Sequence, residues 1–154
     1  VDSLLPAYTS PPLARIETTR GAFTIALETR WAPRTVRQFI ENARNRIYDN
    51  TPVNDLQGGQ MIVLGDRHGD ESSLPPADVR DEYSPLRAEA GAVMWSLVSR
   101  DSGRGNFMIA LTRLPYQDWR YPVFGQVREG LDVAHALPMA DTIRTVQIVT
   151  PGVS

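Results

Sequence analysis

The stretch TTRGAFTIALETRWAPRTVRQFIENARNRIYDNT, Thr18 to Thr51, decides the fold, because the period of its apolar residues changes halfway along. Residues 14–28, ARIETTRGAFTIALE, alternate apolar and polar on both sides of Arg20-Gly21, with Phe23, Ile25 and Leu27 on one face. That period of two is the signal of an antiparallel hairpin. In WAPRTVRQFIENARNR the spacing becomes helical: Pro33 suits a first turn, and Val36, Phe39, Ile40 and Ala43 fall at i, i+3, i+4 and i+7 along one stripe. A hairpin followed by an amphipathic helix is expected, the helix lying on a sheet.

Beyond Thr51 the pattern returns to strands. TPVNDLQGGQMIVLGD reads as a second hairpin around Gly58-Gly59, and a Pro- and Gly-containing loop runs from about Arg67 to Ala90. Four further strands are expected in GAVMWSLV, GNFMIAL, PVFGQV and DTIRTVQIV, with a short helix REGLDVAHAL, closed by Pro138, between the last two. Eight strands, two helices and no alternation of parallel strands with helices give a mainly β expectation: a closed eight-stranded antiparallel barrel capped by two α-helices.

A length of 154 residues suits one hydrophobic core. The first twelve residues, VDSLLPAYTSPP, carry three prolines and little periodicity, so residues 1–12 are expected to be a tail or linker and 13–154 the domain. Such a tail, without an initial Met, is compatible with removal of a signal peptide and hence a periplasmic or secreted location, or with a place inside a longer chain. Net charge is −2, and the sixteen basic residues, all arginine, are scattered, which gives no electrostatic footprint for nucleic acid. No apolar run approaches the roughly 20 residues of a membrane helix. With no cysteine, thiolate metal sites and cysteine nucleophiles are excluded.

Asp66, His68, Asp70 and Glu71 place hard ligands on one Gly-containing loop, but such a run is more often a solvated turn, and no metal or cofactor is expected. His135, between two alanines of the second helix, reads as structural. Nothing resembles a nucleophile elbow.

The order of elements, with particular residues, resembles the cyclophilin family of peptidyl-prolyl cis-trans isomerases from about Arg15 to Pro151. Thr18, Gly21, Ala32, Pro33, Thr35, Val36, Phe39, Tyr48, Asp49 and Thr51 fall in register with the family's opening. Asp81-Glu82-Tyr83, Gly91, the run Gly105 to Ile109 and Val123-Phe124-Gly125, with Val127 and Gly130 to Val133, continue it in order. The resemblance implies the barrel and an activity on X-Pro bonds, with proline-containing peptides or proteins as partners and a monomeric domain.

In the family an arginine in a Phe-His-Arg-Val strand is the catalytic donor. The corresponding strand here is Val53-Asn54-Asp55-Leu56, so Asp55 stands at the position of that arginine. The family's Phe-Met-x-Gln becomes Gln60-Met61-Ile62-Val63, Gln-Phe-Phe becomes Asn106-Phe107-Met108, and Met-Ala-Asn becomes Trp95-Ser96-Leu97. The rim Trp and His correspond to Tyr116 and Tyr121. The resemblance therefore implies a groove lined by Val53, Asn54, Gln60, Met61, Val63, Ser96, Asn106, Phe107, Met108, Tyr116 and Tyr121, of which Met61 and Phe107 could equally fill the barrel.

Two expectations follow. The first is a homologue whose isomerase activity is weak or lost and whose groove binds proline-containing segments. The alternative is an active isomerase assisting protein folding, with Arg100, Arg104 or Arg113 as a relocated donor; a passive module of a longer protein is a third.

Overall fold

The computed structural model describes residues 11–57, 59–69, 72–75, 79–96 and 103–149. The opening hairpin is β1 (Leu13–Thr18) and β2 (Gly21–Leu27). Its turn explains the Thr-x-x-Gly pattern: the Thr18 hydroxyl donates to Gly21 O at 2.7 Å and accepts from Arg20 N at 3.1 Å, while Gly21 holds φ +132°. Helix α1 (Pro33–Arg44) follows, with Pro33 in its first turn and Val36, Phe39, Ile40 and Ala43 buried. Ala32 supplies no side-chain cap. The carboxylate of Glu82, far along the chain, accepts instead from Arg34 N at 3.1 Å, Thr35 N at 2.7 Å and the Thr35 hydroxyl at 2.8 Å, placing negative charge at the positive end of the helix.

The second hairpin is β3 (Thr51–Gln57) with β4 (Met61–Leu64), followed after the long loop by β5 (Ala92–Trp95), β6 (Phe107–Ala110), a 3₁₀ helix (Pro115–Gln117), β7 (Val123–Glu129), α2 (Leu131–Ala136) and β8 (Thr142–Val149). The strands close a barrel in the order β1-β2-β7-β5-β6-β4-β3-β8, every pairing antiparallel. The expected barrel and both helices are present. The 3₁₀ helix was not anticipated, and β5 is shorter than the apolar run GAVMWSLV, whose Leu97 and Val98 fall outside the described residues.

Register fixes what faces inward. Val53, Leu64, Phe107 and Trp95 are successive cross-strand partners on β3, β4, β6 and β5, and all four belong to the interior cluster. Phe39 of α1 caps that interior, its ring 5.1 Å from Tyr48, 5.4 Å from Phe107 and 5.3 Å from Phe124. One polar knot is sealed within it: the Tyr48 hydroxyl donates to Gly105 O at 2.6 Å and accepts from Asn42 Nδ2 at 3.2 Å. Burial pushes the Tyr48 phenol far above its usual range, so it acts there as a neutral donor. At Gly105, φ is +150° and a Cβ would collide with the Asn42 amide, which makes glycine necessary.

Candidate functional site

The strand row next to the inward one faces out. Asp55, Val63, Met108 and Met94 are successive partners across β3, β4, β6 and β5. On an unbroken β3, Val53 and Asp55 would share a face. The ladder shifts between them, leaving Asn54 as the extra residue of a bulge, so Val53 turns in and Asp55 turns out. Asn54 holds the bulge: its Nδ2 donates to Asp66 O at 2.6 Å and its Oδ1 accepts from Asp66 N at 2.9 Å. Asp55 itself is exposed, and Gln57 Nε2 donates to its Oδ2 at 3.3 Å.

Met61, Met94 and Met108 form with Ala88, Ala92, Ala110, Leu114 and Val123 a second apolar cluster, separate from the barrel interior, against which Val63, Leu86 and Tyr121 pack. Because methionine is flexible and polarizable, such a floor can adapt to an apolar group laid on it. Gln60 and Tyr116 stand at the rim, both exposed, the Tyr116 hydroxyl donating to Gln60 Oε1 at 2.7 Å. Asn106 is buried, its backbone O accepts from Ser96 N at 3.1 Å, and its Oδ1 has no hydrogen-bond partner among the described residues.

A strap from Arg113 to Tyr121 walls the floor on one side. Arg113 donates from Nη1 and Nη2 to the two carboxylate oxygens of Asp118, each at 2.7 Å, and from Nη1 to Ala88 O at 3.2 Å. Asp118 also accepts from Ala88 N at 2.9 Å. The Arg113 hydrogen bonds hold the Asp118 carboxyl down at about 2, and the same bonds raise Arg113. Arg87 lies 4.6 Å over the Trp119 ring and 3.8 Å from Asp118, so the strap is pinned to the loop before β5.

The residues read from sequence thus divide. Met61, Val63, Met108 and Tyr121 come together on the outer cluster, with Asp55, Gln60 and Tyr116 at its edge. Val53 and Phe107, expected in the groove, instead fill the barrel: Phe107 packs edge-on against Phe39 and Tyr48 because strand alternation gives the outer face to its neighbour Met108. Sequence reading passed over Met94 and Leu114. The Leu114-Pro115 pair, with proline at a helix start, was the one local sign of the turn that brings Leu114 in. A cavity of about 410 Å³ lies outside this groove, between β2, β7 and the Pro85–Glu89 loop, sharing only Leu86 and Val123 with the outer cluster.

Met61, Met94 and Met108 are themselves buried, so the cluster meets solvent through the half-buried Val63, Leu86 and Tyr121 and the exposed Gln60 and Tyr116. Asp55 carries negative charge beside the floor, while Arg113 is spent on Asp118; Arg100 lies outside the described residues. In the turn considered for a metal, the buried Asp66 accepts from Gly69 N at 3.1 Å, and Asp70 and Glu71 fall outside the described residues. His135 is exposed on α2.

Comparison with known proteins agrees with this architecture. A family model described as "Cyclophilin type peptidyl-prolyl cis-trans isomerase/CLD" matches residues 13–153. "Peptidyl-prolyl cis-trans isomerase-like 1" of Neurospora crassa is 31% identical over 132 residues, 82% of this chain and 81% of that protein. A peptidyl-prolyl cis-trans isomerase of Arabidopsis thaliana is 28% identical over 141 residues, 88% of this chain and 86% of its own length. Among solved structures, a cyclophilin type peptidyl-prolyl cis-trans isomerase of Cryptosporidium parvum, crystallised in the presence of the dipeptide Ala-Pro, superposes with a TM-score of 0.81 at 21% identity, covering 88% of this chain and 98% of that one. Sequence and fold together place this chain in the cyclophilin-type peptidyl-prolyl cis-trans isomerase family.

Proposed function

We propose that the chain holds proline-containing peptide segments in its methionine-floored groove and that its isomerase activity is weak or lost. The observation that carries this reading is the outward placement of Asp55 in one row with Val63, Met108 and Met94. Rotation about an X-Pro bond meets a barrier of about 18–20 kcal/mol from amide resonance. In the twisted state the lone pair localises on the prolyl nitrogen, and a donor aimed at that nitrogen lowers the barrier because the interaction exists only there. An ionised carboxylate has no proton to give. Loss of one well-placed donor in other active sites costs about 3–4 kcal/mol, a hundred- to a thousandfold in rate.

Arg113, one of the relocated donors considered, has both terminal nitrogens on Asp118 and would have to break that pair to serve. The floor and its aromatic rim favour a proline ring with apolar neighbours, and Asp55 favours a cationic or amide-bearing group beside it. Titrating the chain, labelled at its methionine methyls, with Ala-Ala-Pro-Phe amide tests the binding. Saturable shifts at Met61, Met94 and Met108 support it. Shifts at Met139 alone, or none at millimolar peptide, would sink it.

A further inference from the structure

Asp55 brings an unbalanced charge to the edge of the groove. Its carboxylate is exposed and belongs to no ion pair among the described residues. Its hydrogen bond from Gln57 Nε2 falls on Oδ2 at 3.3 Å and leaves Oδ1 without a partner among those residues. The strap supplies no counter-charge, because Arg87 and Arg113 are both paired with Asp118. The cross-strand partner of Asp55 is Val63, which is half-buried and packs against the methionine cluster. Side chains paired in this way stand about 5 Å apart. The open carboxylate is therefore beside the apolar surface that a proline ring would cover.

We propose that Asp55 is a specificity-determining residue of the groove and that the segments it selects carry lysine or arginine next to proline. A ring resting on Val63 puts the neighbouring residues of an extended segment about 3.3 Å to either side. From there a lysine or arginine stem is long enough to bring its cation to Asp55, where an N–H donates to Oδ1. A glutamate or aspartate at the same place meets a like charge and is selected against. Because Asp55 stands in solvent, the preference has the size of a surface ion pair and is screened by salt. This rests on the groove reading above and narrows it from proline-containing segments to cationic ones.

The test is titration with acetyl-Ala-Ala-Pro-Ala amide and with counterparts that carry lysine or glutamate immediately before or after proline. At low salt the wild-type chain is expected to bind a lysine peptide about fivefold more tightly than the neutral one, and the matching glutamate peptide about fivefold more weakly. Both differences should shrink below about twofold at about 0.5 M salt, where the screening length is about 4 Å. Asp55→Asn keeps the shape of the side chain without its charge and is expected to bind all the peptides alike. Glu129→Gln removes one charge from β7, four strands from β3 around the barrel of eight, and should keep the wild-type preference, which separates Asp55 from the net charge of −2. A wild-type chain that binds the neutral peptide and both lysine peptides equally overturns the assignment. So does a preference for lysine that survives in Asp55→Asn. Failure of every peptide to bind the wild-type chain overturns the groove reading itself, a distinct result.

Discussion

Asn54 and Asp55 are chain neighbours with opposite surroundings, and replacing each by alanine gives a demanding test of the bulge that separates them. Asn54→Ala removes two hydrogen bonds, from Nδ2 to Asp66 O at 2.6 Å and from Asp66 N to Oδ1 at 2.9 Å. Each such bond is worth about 1 kcal/mol net, and a main-chain group of the buried Asp66 left without this partner adds about 1 kcal/mol or more, so a loss of about 2–4 kcal/mol is expected. For a domain of this size that lowers the melting temperature by roughly 5–12 °C. Asp55→Ala touches an exposed carboxylate whose hydrogen bond from Gln57 is long, at 3.3 Å, and should change stability by less than about 0.5 kcal/mol. Urea unfolding of both variants, read by tryptophan fluorescence, measures the difference. Equal effects, or a larger effect at Asp55, would show that β3 runs without this bulge and that Asp55 does not face outward.

Other outcomes follow from the same geometry. Met108→Ala should cost about 2–4 kcal/mol by leaving a hole in the outer cluster and should also weaken peptide binding; urea melts and peptide titration check the two together. Acidification should loosen the strap: the folded-state Asp118 carboxyl, at about 2, lies below its ordinary value of 3.8, so its contribution is fully present above that ordinary value and is lost as pH falls through about 2. Fluorescence of Trp119, stacked on Arg87, should report that loss in the wild-type chain, and Asp118→Asn should remove the pH step. Asp55→Arg should raise isomerase activity less than about tenfold, because Val63 beside it offers no polar partner to aim a guanidinium; a hundredfold gain in a protease-coupled assay would contradict this.

Most of the architecture was legible because each element carries its own period. The alternation of Phe23, Ile25 and Leu27 and the stripe Val36, Phe39, Ile40 and Ala43 map directly onto buried faces. The groove was less legible for reasons equally physical. β5 is buried on all four residues, Ala92 to Trp95, since one face packs the interior and the other packs the methionine cluster, so alternation could not separate Met94 from Trp95. The bulge at Asn54 reverses the facing of every residue after it, a step invisible to a period-two reading that would leave Asp55 beside Val53. Gln117 and Leu114 lie on an irregular strap whose course depends on Arg113, Asp118 and Ala88 meeting from separate segments. The same holds for the cap of α1, supplied by Glu82 across 47 residues of chain to Thr35.

The most direct measurement of the central claim is the exchange rate between cis and trans Ala-Pro in Ala-Ala-Pro-Phe amide, followed by NMR with the wild-type chain present. With an acid where a donor is needed, the chain should bind the peptide yet accelerate exchange at least a hundredfold less than a cyclophilin bearing arginine at that position. Acceleration equal to that of such a cyclophilin would contradict the account and require a guanidinium over the methionine floor.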